Sequence, residues 1–477
     1  MLFSIRSFGV LLATVFALSA TSGCARLDPP EREGMLVVGV LPEPVFNFSD
    51  GTPATGFTKE LILLFSKELN IPVRFIAAND AEELINLVRR GRVHMAAQLD
   101  AKPGDSELVF SEPLSETPLW VVQHVDGVGP RSIADLAGLE ISTPIGSAAA
   151  AALHGLIMDV RPVIVEVRKN SEMDILNQLA AREITLAAVD QLSMRVAAST
   201  QPDLQPAVRL PGSRVFKWAF PAAGDQTLRQ RANEFIADAK QDRSLARLQD
   251  RYFGHIQRLD PEGTQRFISA ARTVLPRYRQ EFQQAQELTG LDWRLLAALA
   301  YQESKWDPSA TSYTNVRGMM MLTEDTADAL GIENRLNAAQ SIRGGSIYLL
   351  NLIEQLPDTI EKHDRLWFAL AAYNLGMGHL NGGRAIAKGL DKDPDSWYDM
   401  KQVLPLLSQP KYYDRLKSGR ARGGEAVILV DNVHSFFDIL IRIEAPYVSP
   451  LSQIKKKPGK MRKLTQPATS IRAVPPK

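Results

Sequence analysis

The stretch AALAYQESKWDPSA, residues 297–310, places one carboxylate, Glu303, at the end of a segment otherwise rich in Ala and Leu. Read as a helix, it stacks Leu296, Leu299 and Ala300 on the approach to Glu303, one to two turns ahead of it. An apolar face disfavours the ionised carboxylate and raises its pKa. That is the condition for a carboxylic acid to donate a proton near neutral pH. Trp306 offers a stacking or desolvating wall, and Ser304 either bonds the site wall or closes the helix. Two further clusters carry usable groups. Gly318 permits close backbone approach, and Met319, Met320 and Met321 add deformable apolar surface, with generic core the competing reading for Met319. Tyr373 and Asn374 bring a phenol and an amide. The other nearby acids read as structural. Asp307 before Pro308 suits a helix-ending turn, and Thr323 with Glu324 and Asp325 suits an N-cap with first-turn acids.

These groups need elements to position them. At 477 residues the chain is too long for one core, so two or three domains are expected. Strands alternate with helices from about residue 35. MLVVGV, PVRFIA, VHMAAQL and PVIVEV read as strands, while GFTKELILLFSKELN, AEELINLVRRGR and SEMDILNQLAAREI read as helices. This predicts a parallel α/β sheet. From about residue 263 helix-compatible stretches dominate. The fold class expected from this pattern is therefore multidomain, an α/β half followed by a mainly α half. Basic and acidic residues balance, 55 against 54, which argues against nucleic acid as a partner. The seven His residues show no metal-ligand spacing, and no metal or cofactor is expected.

The second half resembles the lysozyme-like lytic transglycosylases of the soluble-lytic-transglycosylase type. Three elements stand in that family's order: Glu303–Ser304, Gly318–Met321 and Ala372–Asn374. The resemblance implies that Glu303 acts as acid and then as base on peptidoglycan glycan strands, at the MurNAc–GlcNAc β-1,4 bond. The substrate's N-acetyl group and 6-hydroxyl supply the rest, giving 1,6-anhydro-MurNAc ends. It also implies substrate contacts from Ser304, Gly318, Met320, Met321, Tyr373 and Asn374. Three departures stand out. Met321 occupies a place where relatives carry Gln, Leu429 stands where a Tyr precedes Val, and Ser418 and Arg420 replace expected tyrosines. Two other readings remain at this point: a lysozyme-type muramidase, and a wall-binding sensor with weakened catalysis.

Residues 35–257 resemble the family 3 solute-binding proteins, through VVGVLPEPVFNFSDGTPATGFTKELILLFSKELN, FSEP at 110–113, IGSAAAAAL and AAVDQL. The resemblance implies two α/β lobes around a ligand cleft, with Asp190 at the place of an amine holder or, equally, as a strand-end cap. The family's carboxylate-binding Arg is replaced by Asp105 in KPGD, so weak or no binding of free amino acids is expected. A cell-wall peptide or muropeptide is the natural regulator.

The first residues form a charged start and a short apolar run, too short to span a bilayer of ~30 Å. It ends at TSGC, which resembles a lipobox and makes Cys24 the expected lipidation site, although Thr21 departs from the pattern. Ala25 follows, which favours the periplasmic face of the outer membrane over inner-membrane retention. The domain plan is a signal peptide at 1–23, a linker at 24–34, the binding domain at 35–257, a connector at 258–276 and the catalytic domain at 277–447. A basic tail at 448–477 carries eight Lys/Arg and no acid, and is expected to be disordered.

Overall fold

The computed structural model describes residues 26–41, 56–97, 99, 106–168, 171–256 and 258–448. Cys24, the signal segment, Lys102–Asp105 and residues 449–477 lie outside the described residues.

The first half forms two sheets. The first contains β1 (Leu36–Val40), β2 (Val73–Ala77), β3 (Met95–Ala96), β4 (Leu108–Phe110) and β10 (Ala219–Pro221), in the order β2-β1-β3-β10-β4. The second contains β5 (Ser115–His124), β6 (Glu140–Pro144), β7 (Val163–Val167), β8 (Leu186–Asp190) and β9 (Leu204–Phe216), in the order β7-β6-β8-β5-β9. The first sheet marks lobe 1 and the second lobe 2; the chain passes from β4 of lobe 1 into β5 and returns from β9 to β10, so two crossings join the lobes. Along β1, Leu36, Val38 and Val40 enter one core cluster and Val37 enters another on the opposite face. Burial on both faces explains why β1 reads as a continuous apolar run rather than an alternating one. VHMAAQL was expected as a full strand but keeps only Met95 and Ala96 in the sheet. The helix Phe57–Leu69 stops where Asn70 turns left-handed at φ 54°.

The second half is helical and has one large core. The stretch expected as a connector contributes Phe267, Ala271 and Leu275 to that core, through the helix Pro261–Thr273. The helices Trp293–Ser304, Ala338–Gln355, Lys362–Leu375 and Gly423–Ile443 supply most of the rest.

The halves meet through polar contacts, the first of them buried and the rest part-buried. His255 lies 2.6 Å from Asp438, Lys401 donates to Asp250 at 2.6 Å, and Arg247 pairs with Asp399 at 3.3 Å. Arg442 donates to the Val196 carbonyl at 3.2 Å, reaching lobe 2. The His255 and His434 rings stack at 3.5 Å, and His434 stacks on Trp367 at 4.2 Å. His255, His434 and Asp438 are buried and bring one metal-ligand type of atom apiece within 4.8 Å of one another, a grouping across distant parts of the chain that sequence spacing does not show.

Candidate active site

Asp292 starts the helix Trp293–Ser304 by accepting the Arg294 N–H at 2.9 Å. The helix ends abruptly because Lys305 and Trp306 both take left-handed backbone angles, φ 56° and 62°. That reversal folds Trp306 beneath its own helix, where its indole N–H donates to the Ala297 carbonyl at 2.8 Å. Its ring sits 4.8 Å from Tyr301 and 5.6 Å from Phe267. Trp306 is 1% exposed and packs as core, so of its two expected roles, stacking or desolvating wall, burial leaves only the second.

Glu303 is left half-buried on the last turn. Burial pushes its carboxyl up to about 7, against the opposing pull of the Lys305 ammonium. Lys305 is held with Nζ 4.6 Å from the Tyr301 ring centre and 5.5 Å from that of Phe436. Burial also lifts the Tyr373 phenol well above its ordinary value, with the Glu303 charge as the next cause. The acid and the phenol therefore share one low-dielectric setting.

The Gly318–Met321 segment is a tight turn between the bridged residues Arg317 and Leu322. Gly318 sits at φ +85°, and a Cβ there would lie 1.8 Å from the Arg335 carbonyl oxygen. Three hydrogen bonds fix the turn against the helices. The Ser304 hydroxyl lies 2.8 Å from the Met319 carbonyl, and the Met320 N–H donates to Ser341 Oγ at 3.1 Å. The Tyr373 hydroxyl donates to the Met320 carbonyl at 2.7 Å.

These contacts revise several expected roles. Ser304 is buried, and its hydroxyl lies against the Ala300 and Met319 carbonyls, so it holds the turn in place. The Met320 side chain has no exposure and packs as core, as does Met319; what Met320 offers the site is its carbonyl. Gly318 is likewise buried. Met321 is half-buried at φ 47°, and Asn374 is exposed one residue past half-buried Tyr373. Asp307 accepts the Ser309 N–H at 2.8 Å and the Ser309 hydroxyl, which hold its carboxyl below the usual range. Glu324 pairs with Arg335 at 3.5 Å beside the Thr323 cap. Both keep the structural roles their sequence contexts suggest. Leu429 is buried in the last helix, Ser418 is half-buried and Arg420 is exposed.

Sequence reasoning missed Tyr348, whose ring lies 5.2 Å from Tyr373, and the Asn432 amide, which donates to Gln302 beside Glu303 at 3.1 Å. Neither sits in a motif. A cavity of about 530 Å³ lined by Arg279, Gln280, Gln283 and Tyr447, among others, includes none of the motif residues.

In the first half, Asp190 ends β8 and caps the helix Gln191–Ala198. It has no exposure and accepts the Arg214 guanidinium at 2.8 Å, so a cation from the chain itself holds the position expected to take a ligand amine.

Two family models match the chain: bacterial extracellular solute-binding proteins, family 3, over residues 36–255, and the transglycosylase SLT domain over 280–395. A protein of Thiobacillus denitrificans named membrane-bound lytic murein transglycosylase F is 37% identical over 451 residues, covering 91% of this chain and 94% of the relative. The chain belongs to the membrane-bound lytic murein transglycosylase F family. Members from Methylobacillus flagellatus (38% identity; 87% of this chain, 90% of the relative) and Marinobacter nauticus (35%; 92% and 89%) extend the likeness across both halves. The family architecture, a two-lobed solute-binding domain followed by a helical lysozyme-like domain, is the one described above. Relatives carry "membrane-bound" in their names, while no helix among the described residues is long and apolar enough to cross a membrane.

Proposed function

We propose that the chain is a lytic transglycosylase, a carbon–oxygen lyase that cuts the MurNAc–GlcNAc β-1,4 bond of peptidoglycan. The observation that carries this reading is Glu303, a half-buried carboxyl raised to about 7 that shares its setting with Tyr373. A carboxyl at that value keeps enough of its protonated form near neutrality to act as a general acid. Protonated Glu303 gives its proton to the leaving glycosidic oxygen as the C1–O bond breaks. The muramoyl acetamido oxygen bonds to C1 and carries the developing charge. Ionised Glu303 then takes the proton from the 6-hydroxyl, O6 bonds to C1 and the acetamido group is released. No water enters, and no second carboxylate is needed, unlike the paired acids of most glycosidases. The nucleophile is tethered to the reacting ring, which gives it the advantage of an intramolecular attack.

Tyr373 positions the Met320 turn and supplies a phenol beside the acid, while Asn374 and Met321 are the exposed and half-buried groups left to meet the glycan. The solute-binding half regulates cleavage, with a cell-wall peptide or muropeptide as ligand. Lipidation of Cys24 anchors the chain to the periplasmic face of the outer membrane.

Mass spectrometry of products from purified sacculi tests the activity. Anhydro-muropeptides, lighter than reducing-end products by one water, are expected. Reducing ends would make the chain a hydrolase, and tight muropeptide binding without turnover would make it a sensor. Glu303→Gln is expected to abolish lysis while leaving the fold intact.

A further inference from the structure

Glu172 and Asp190 form a carboxylate pair on lobe 2, and the pair already holds a guanidinium. Asp190 Oδ1 accepts the N–H groups of Leu192 and Ser193, at 2.8 and 3.0 Å. Its Oδ2 accepts Arg214 Nη1 at 2.8 Å, and the same nitrogen lies 2.8 Å from Glu172 Oε2. The Ser193 hydroxyl bridges the acids, 2.5 Å from Glu172 Oε2 and 2.9 Å from Asp190 Oδ2. Arg214 also lies over the Phe216 ring at 4.8 Å. The three charged side chains are 0–15% exposed.

The place of this cluster matters. Arg214 sits on β9 opposite Thr117 of β5, on the strands that join the lobes. Met173, Leu192 and Phe216, neighbours of Glu172, Asp190 and Arg214 in the chain, all pack against the lobe 1 core. The cluster therefore lies at the boundary between the two lobes.

We propose that Arg214 is a built-in occupant of the cation subsite of the solute-binding half. Asp190 and Glu172 form a site for a guanidinium or ammonium group that this chain fills from within, and free amino acids are excluded from it. Burial pushes the Glu172 carboxyl up, and the Arg214 guanidinium with the hydrogen bonds to Asp190 holds the Asp190 carboxyl below its usual range, so Arg214 already meets the ionised acid of the pair at 2.8 Å. Removing Arg214 leaves a buried carboxylate pair without its cation, the situation in which a cation of matching shape binds and stabilises the fold. The inference rests on reading the first half as the regulatory domain and is independent of Glu303.

The test is titration calorimetry and thermal melting of the full-length protein with methylguanidinium and with L-arginine, at up to about 20 mM. Arg214→Ala is expected to melt below the wild type, to bind methylguanidinium about tenfold or more tightly than the wild type, and to recover part of its melting temperature on binding. Adding Asp190→Asn should abolish that gain. If the alanine variant does not fold, Arg214→Gln, which keeps a donor toward Asp190, must show the same gain. Wild-type binding of L-arginine that Arg214→Ala leaves unchanged would overturn the proposal. So would variants that melt lower without responding to methylguanidinium, which would make Arg214 a structural ion pair only. Failure of both variants to fold even when refolded in methylguanidinium also overturns it. Anhydro-product formation from sacculi by the wild type is read separately, so loss of the catalytic reading is distinguishable from loss of this one.

Discussion

The hydroxyl of Tyr373 donates to the backbone carbonyl of Met320 at 2.7 Å, joining the Ala-Tyr-Asn helix to the Gly-Met-Met-Met turn. Two of the three motifs are thus connected by one hydrogen bond, and Ser304 ties the third to the same turn through the Met319 carbonyl at 2.8 Å. The motifs form one structural unit around Glu303.

Tyr373→Phe removes the donor and leaves the Met320 carbonyl without it. The expected cost is about 1–2 kcal/mol of stability, read by denaturant unfolding. Turnover on sacculi should fall by about tenfold to a hundredfold, because the phenol beside the acid is lost as well as the anchor. A variant with wild-type turnover would reduce Tyr373 to a packing residue.

Glu303→Gln should stabilise the fold at alkaline pH. The Glu303 pKa is raised in the folded state, from 4.5 to about 7. The favourable contribution of its protonated form is therefore complete below about 4.5 and is lost as pH rises through 7, because the unfolded chain ionises first. Gln cannot ionise, so the variant escapes this loss. Its stability should exceed the wild type's by on the order of 1–3 kcal/mol at pH 8 and should match it more closely at pH 4. Melting curves across that range check the sign; a variant that gains nothing at pH 8 would mean that Glu303 is well solvated.

Burial sets where the acid stops working, and Lys305 opposes it. Activity should fall as pH rises through about 7 and Glu303 loses its proton. The Lys305 ammonium favours the ionised carboxylate, so Lys305→Met should move this limb to higher pH while leaving turnover at lower pH close to wild type. A pH–rate profile of kcat/KM distinguishes this from simple damage, which would lower the whole curve without moving the limb.

Gly318→Ala places a methyl group 1.8 Å from the Arg335 carbonyl oxygen, at a backbone φ of +85° that disfavours any side chain. The neighbour is backbone and cannot swing aside. The expected loss is about 2–4 kcal/mol in denaturant unfolding, with activity lost through displacement of the Met320 carbonyl. Gly376→Ala provides a comparison, since φ is +82° there with no atom within 4 Å of the added carbon, and it should cost less.

The sequence by itself determined the two-part architecture, the strand–helix alternation of the first half, the helical character of the second, and the apolar approach to Glu303. Each of these is local. Periodicity reports burial within one element, and an apolar turn ahead of a carboxylate announces its desolvation wherever the helix lies. Tertiary structure decided what the neighbours of those elements do. Trp306 reads as a site aromatic, yet two consecutive left-handed residues send it under its own helix. Ser304 and Met320 read as substrate contacts, yet their partners are Met319, Ser341 and Tyr373, brought together across the fold. Arg214 carries no motif at all and becomes the partner of Asp190 only because β8 and β9 flank β5 in one sheet. A hydrogen bond or ion pair between distant residues depends on where the chain returns, and one-dimensional spacing carries no record of that return.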